Sequence, residues 1–293
     1  MKLLVLLAPG LFLLLWSGGF TVAKIGLNYS DPLTLLSIRY ACVLILLLPL
    51  CLIYKPVWPG SARQWLHVAC VGFFIQVVYF GASWLAFVRG TSAGSLALIT
   101  SLQPILVALV IPLVSREIVS RRRWLGLVLG LLGTVLVLYG NFGIQPLSLI
   151  AFVFSVSALF AFTIATVWEK RFGISHHPIA SNIIQYAVGL MFTLPLALLI
   201  EPMRVSITIE FLIALAYLVL GNSILAISLL LMMIRNGEAT RVSALFFLVP
   251  PTAALIAWFI MGEKMTPLAS IGMVIAASGV WLATRKNAPA NSS

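Results

Sequence analysis

Apolar residues run through this chain of 293 residues in long blocks, with polar positions collected between them. A helix of about 20 apolar residues crosses a hydrocarbon core of about 30 Å. The blocks predict ten such spans, near 3–23, 33–53, 65–88, 92–114, 123–140, 147–168, 178–200, 210–233, 240–261 and 268–284. Helix breakers mark the connectors: Asp31-Pro32, Pro56, Pro59-Gly60, Gly140-Asn141, Pro178, Pro202 and Pro267. No connector is long enough for a folded extramembrane domain. Lys2 followed by an apolar run has the look of a signal peptide, with Thr21 and Ala23 as a cleavage pair. The run is as long as a span and further blocks follow, so it is read as an uncleaved first helix.

Composition sharpens the class. Charged residues make up only 9% of the chain and hydrophobic ones 62%, against about 25% charged in an ordinary soluble protein. The net charge of +11 concerns orientation here, because basic residues flanking spans favour the cytoplasmic side; no nucleic-acid motif accompanies it. Lys2, Lys55, Arg63, Arg116, Arg121, Arg122, Arg123, Lys170, Arg171, Arg235, Arg241, Arg285 and Lys286 fall on one side, and Lys24, Arg89, Arg204 and Lys264 on the other. Ten spans with both termini in the cytoplasm satisfy this alternation, and a cell inner membrane is the expected location. Cys42, Cys51 and Cys70 have no zinc-ligand or CxxC spacing and are read as buried thiols.

A shift of 146 residues brings the two halves into register. Pro32, Tyr40, Ala41, Pro49 and Leu50 then meet Pro178, Tyr186, Ala187, Pro195 and Leu196. The same ungapped shift pairs Lys24 with Lys170, Arg89 with Arg235, Pro104 with Pro250, Glu117 with Glu263, Gly126 with Gly272 and Gly133 with Gly279. Chance similarity among apolar blocks gives scattered leucine matches, not one offset through charges, prolines and glycines. Residues 1–140 form the first five-helix repeat, 141–146 a linker, 147–286 the second repeat, and 287–293 a short disordered tail. Five is odd, so the second half enters from the opposite side. The expected fold is all-α integral membrane, two inverted five-helix repeats around a central cavity, an arrangement suited to alternating access.

These residues also carry a family resemblance. Trp16-Ser17, Phe20 and Lys24, then Pro32 and Arg39, resemble the opening of EamA-type repeats of the drug/metabolite transporter superfamily. Thr91-Ser92-Ala93, Pro104 and Glu117 continue the pattern, and Gly262-Glu263-Lys264-Met265-Thr266 with Gly272 and Gly279 resembles its closing signature. Arg116 departs from the pattern, standing where the family more often has Gly. The resemblance implies ten helices around a central cavity with the fifth and tenth at the periphery, and a role in exporting amino acids or other metabolites.

Pro104 and Pro250 lie mid-span at matched positions, where proline frees the carbonyls around Thr100 and Phe246. They read either as static kinks or as hinges beside the substrate. Polar residues within spans are few: Gln76, Ser95, Thr100, Ser101 and Gln103 in the first half, Gln185, Asn222, Ser228 and Ser243 in the second. Each singly suits helix–helix adhesion; together they offer donors and acceptors to a polar solute. Trp16, Phe20 and Tyr79 can supply apolar or cation–π walls, as can Trp84 and Trp168 unless they are interfacial anchors. Arg39 lies about 10 Å into the second span at 1.5 Å per residue, with no carboxylate at matching depth. It serves either structure or a substrate carboxylate, and its repeat partner is Gln185.

No Asp or Glu occupies the centre of a span, which argues against proton coupling through a buried acid. There is no P-loop, no catalytic or metal-ligand arrangement and no sign of a cofactor. The chain is thus read as a facilitative transporter rather than an enzyme, its partners a small-molecule substrate and the bilayer. A monomer is expected, with a homodimer as the alternative use of the small-residue stripes Gly126, Gly130, Gly133 and Gly272, Ala276, Gly279. Two other functions fit less well: an exchanger of phosphorylated or sugar-type solutes, which would want more buried cations, and a non-transporting scaffold.

Overall fold

The computed structural model describes residues 2–141, 148–173, 178–237, 239–261 and 266–285. The expected linker past Asn141, His176, His177, Glu238, the signature residues Gly262-Glu263-Lys264-Met265, Lys286 and the tail 287–293 lie outside the described residues. Among the described residues, ten helices are long and apolar enough to span a membrane: α1 Leu7–Leu27, α2 Pro32–Tyr54, α3 Ala62–Val88, α4 Gly94–Val114, α5 Arg121–Gly140, α6 Leu149–Phe172, α7 Pro178–Ile200, α8 Ile209–Asn236, α9 Ala239–Ile256 and α10 Pro267–Thr284. Among the described residues the extended structure is one isolated bridge, Ser30 to Val205.

Local chemistry sets where these helices start. Ser61, Ser92, Ser148, Thr208 and Thr266 each accept from the backbone N–H three residues on, satisfying donors that lipid cannot. Pro32 and Pro267 stand at first helical positions, where a missing N–H costs nothing.

Four spans are irregular, and the irregularities match between the halves. In α4 the helix stops at Thr100 and resumes at Gln103, with Pro104 in its new first turn. In α9 a 3-10 turn, Leu245–Leu248, precedes a new segment from Val249, with Pro250 second. The Phe247 carbonyl at that break accepts from Thr134 Oγ1 of α5 at 3.0 Å, so a neighbouring helix satisfies what the break leaves open. In α3 and α8 the backbone widens into π-helix over Phe73–Tyr79 and Tyr217–Ala226. Tyr40 Oη donates to the Gln76 carbonyl at 2.6 Å and Tyr186 Oη to the Ser223 carbonyl at 2.9 Å. The two tyrosines pack ring against ring, centroids 5.5 Å apart.

Repeat partners pack on one another. α2 lies against α7, and α5 makes its most extensive contact with α10. A Cβ on Gly126 would stand 2.7 Å from the Gly279 carbonyl, and one on Gly272 would stand 2.7 Å from that of Gly133. These two contacts are exchanged by the repeat, the reciprocity expected of a two-fold interface. The glycine stripes are thus consumed within the chain.

The bundle has two polar ends. At one, Glu201 accepts from the N–H groups of Leu33 and Thr34, each at 2.8 Å, and Asp31 pairs with Arg204 at 3.3 Å. At the other, Glu117 accepts from Ala239 and Thr240 N–H at 3.0 Å, Glu169 pairs with Arg235, and Lys170 donates to the Gly237 carbonyl at 2.5 Å. The second end gathers connectors that the basic-residue count puts on the richer side. Cys42, Cys51 and Cys70 are free thiols, half-buried rather than fully buried.

Candidate functional site

Aromatic side chains from both halves close around the middle of the bundle. Trp16 of α1 stacks on Tyr79 of α3 and on Phe162 of α6, at 6.2 and 5.7 Å, and meets Phe246 of α9 edge-on at 5.5 Å. Two spaces adjoin this cluster. One, narrow, is lined by Thr100, Ser101, Phe162, Phe246 and Pro250. The other, also narrow, is lined by Arg39, Ser83, Trp84, Phe87 and Asn222. Trp16, Phe20 and Tyr79 line both, so the aromatic cluster is their shared wall.

The matched irregularities place this site. The π-turn of α8 carries Asn222 and Ser223 and that of α3 carries Tyr79. The breaks in α4 and α9 put Thr100, Ser101, Phe246 and Pro250 beside the aromatic wall. Gly18 and Gly19 let α8 approach α1. A Cβ on Gly18 would fall 2.3 Å from Tyr217 Oη, and one on Gly19 would fall 2.5 Å from Asn222 Nδ2.

Arg39 is fully buried. Its Nε donates to Ser223 Oγ at 2.6 Å and its Nη2 to Asn222 Oδ1 at 2.8 Å, while Nη1 has no hydrogen bond of good geometry and the Tyr186 hydroxyl lies beside the guanidinium. The guanidinium lies over Phe80 at 4.4 Å and near Trp84 at 5.8 Å. Burying an ion costs several kcal/mol even after relaxation. Each charge-assisted hydrogen bond returns about 1.5–3 kcal/mol, and a desolvated cation–π contact about 2 kcal/mol. These contacts offset much of the penalty without neutralising the charge. Among the described residues no carboxylate pairs with Arg39: Glu201 caps α2, Asp31 binds Arg204, and Glu169 binds Arg235.

The repeat gives this arrangement an uncharged counterpart. Gln185 is the partner of Arg39 and Gln76 that of Asn222. Both glutamines are fully buried at the contact of α3 with α7, where a Cβ on Gly72 would meet Gln185 and one on Gly189 would meet Gln76. Neither amide has a hydrogen bond of good geometry, and Gln76 lies beside the Tyr186 hydroxyl.

Of the expected site residues, Trp16, Phe20, Arg39, Tyr79, Thr100, Ser101 and Asn222 come together, and Pro250 joins them. The others lie elsewhere. Ser95 bonds to Ser92 at the start of α4. Gln103 Nε2 donates to Thr166 at 3.1 Å and to Ser243 at 3.4 Å, tying α4, α6 and α9 together. Gln185 and Pro104 line neither space, and Ser228 accepts from Asn182 in a cleft between α7 and α8. Trp84 is buried beside Arg39 and lines its space. Trp168 packs with His67 and Phe172 at the end of α6. Phe162, Phe246, Phe80 and Ser83 were not among the expected residues. The repeat could have found Phe162, which stands 146 residues after Trp16.

Ten spanning helices in two matched halves, closing on a chamber with a buried cation, define a polytopic membrane carrier. The EamA-like transporter family matches this chain twice, over residues 3–139 and 149–285. The chain belongs to that family, within the drug/metabolite transporter superfamily. Similar proteins include an uncharacterized transporter of Archaeoglobus fulgidus, 27% identical over 94% of this chain and 96% of its own. A probable amino-acid metabolite efflux pump of Salmonella typhimurium is 23% identical over 93% and 92%. The uncharacterized inner membrane transporter YedA of Escherichia coli K12 is 24% identical over 92% and 87%. One solved crystal structure superposes with a TM-score of 0.77 at 18% identity, covering 96% of this chain and 97% of its own, a likeness of fold alone.

Proposed function

We propose that this chain exports amino acids or related small metabolites across the cell inner membrane by alternating access, with both termini in the cytoplasm and without ATP hydrolysis. The observation that carries this reading is the mid-membrane chamber whose aromatic wall is shared by two spaces. A solute leaving one space meets the same Trp16, Phe20 and Tyr79 on entering the other. Inverted halves support the cycle, since each can adopt the conformation its partner has left. The relatives named as amino-acid metabolite efflux pumps support the substrate range. An exchanger of phosphorylated solutes would need several cations at the chamber, and among the described residues Arg39 alone lines it.

The test is uptake of a labelled metabolite panel into proteoliposomes holding the purified protein. Accumulation above protein-free vesicles is expected for at least one amino acid or derivative. No accumulation of any panel member by correctly folded protein would end this reading.

A further inference from the structure

We propose that the transported species is an organic monoanion, a carboxylate with an aromatic or bulky apolar body, rather than a zwitterionic amino acid. The inference rests on the transport reading above and narrows its substrate.

Among the described residues, the lining of this space carries two unsatisfied donors and no acid. Arg39 and Ser83 line the same space, and Arg39 Nη1 and Ser83 Oγ, both buried, lack a hydrogen bond of good geometry. An arginine keeps its proton in any protein setting and presents its donors in a fork that fits a carboxylate. The Nη1 hydrogens and the Ser83 hydroxyl are therefore donors waiting for an anionic acceptor. The one amide oxygen beside them, Asn222 Oδ1, is spent on Arg39 itself.

Among the described residues that line this space, no acid would receive an ammonium. It needs a carboxylate or several free acceptors, and the carboxylates of Glu201, Asp31 and Glu169 are engaged at the ends of the bundle. A ring face can hold a cation, but the Phe80 face is already occupied by the Arg39 guanidinium at 4.4 Å. An added ammonium would share a low-dielectric space with an uncompensated positive charge, whereas an added carboxylate neutralises it. A second positive charge stands nearby, since Lys24 is exposed over the ring of Phe87, a lining residue of this space. The remaining walls, Trp16, Phe20 and Tyr79, suit a flat apolar body.

Three probes that share a phenyl body separate the charge classes: phenylpyruvate (anion), phenylalanine (zwitterion) and phenylalanine amide (cation). Wild-type proteoliposomes should take up phenylpyruvate at least tenfold faster than phenylalanine and leave the amide at the protein-free rate. Arg39→Gln should abolish that preference, and Arg39→Lys should retain an anion preference at reduced rate. The wild-type comparison decides the matter even where a variant fails to fold. Equal or faster uptake of phenylalanine, or movement only of neutral and cationic solutes in the wider panel, would overturn the anion assignment while leaving transport intact. No movement of any solute would instead overturn the transport reading beneath it.

Discussion

A methyl group added to Gly19 would stand 2.5 Å from Asn222 Nδ2, and the oxygen of that same amide accepts from Arg39. Gly19→Ala should therefore push Asn222 away and unseat the guanidinium. Overpacking of this kind costs about 1–3 kcal/mol, so the thermal midpoint in detergent should fall and transport should slow. Gly10 is the control, because a Cβ there meets nothing within 4 Å; Gly10→Ala should leave both measurements unchanged or slightly raise stability. Equal effects from the two substitutions would mean that Gly19 is only a helix residue. Glu117 gives a second test. Its two carboxylate oxygens accept from the first N–H groups of α9, so Glu117→Ala should destabilise by about 1–3 kcal/mol. Glu117→Gln, keeping one acceptor oxygen, should lose less, as a melting series would record. At this scale the sequence was readable where a residue was chemically out of place. Arg39 and Asn222 stand out in an apolar span, while Phe80 and Phe246 are lost among 17 phenylalanines.

At the scale of the helix, the two prolines open the second segment of a broken span rather than bending a continuous one. Antiparallel halves exchange roles during a cycle, so Pro104→Ala and Pro250→Ala should bias the protein toward opposite access states. Labelling of Ser101→Cys by an impermeant reagent from each side measures this. Shifts in the same direction, or wild-type transport in both, would make the breaks static. The glycine stripes behave as fixed seams. A Cβ on Gly133 would lie 2.2 Å from the Ala276 backbone nitrogen, and backbone cannot step aside as a flexible side chain does. Gly133→Ala should accordingly lower stability by about 1–3 kcal/mol without changing oligomeric state in light scattering. Dissociation of a dimer instead would assign the stripe to a subunit contact. Element positions were legible because twenty-residue apolar blocks admit little else in a membrane. The π-turns were not, since widening a turn by one residue changes no hydrophobic pattern when every face is apolar.

The molecule as a whole is two copies of one plan with a single charge of difference at its centre, Arg39 against Gln185. Its orientation is a prediction of the basic-residue count. Cysteines introduced at 56–62 should label only from the cytoplasm and those at 141–145 only from outside. Labelling of both from the same side would refute the ten-span arrangement. The pairing of halves was legible because charges, prolines and glycines hold one offset. Which pairs would touch was not, because offset gives correspondence and not contact. Only coordinates reveal that Gly126 seats on Gly279 rather than on its own partner Gly272.

The widened turns also bear on how the two halves are related. A π-turn accommodates one residue more than the α-turn it replaces, and each half has such a turn, around Gln76 and around Asn222. Lys24 and Lys170 precede these turns at an offset of 146, and Pro104 and Pro250 follow them at the same offset. Had one half alone gained the residue, the offset would step by one between those pairs. It does not. Equal widening in the two halves is the mark that a turn widened before copying and fusion would leave.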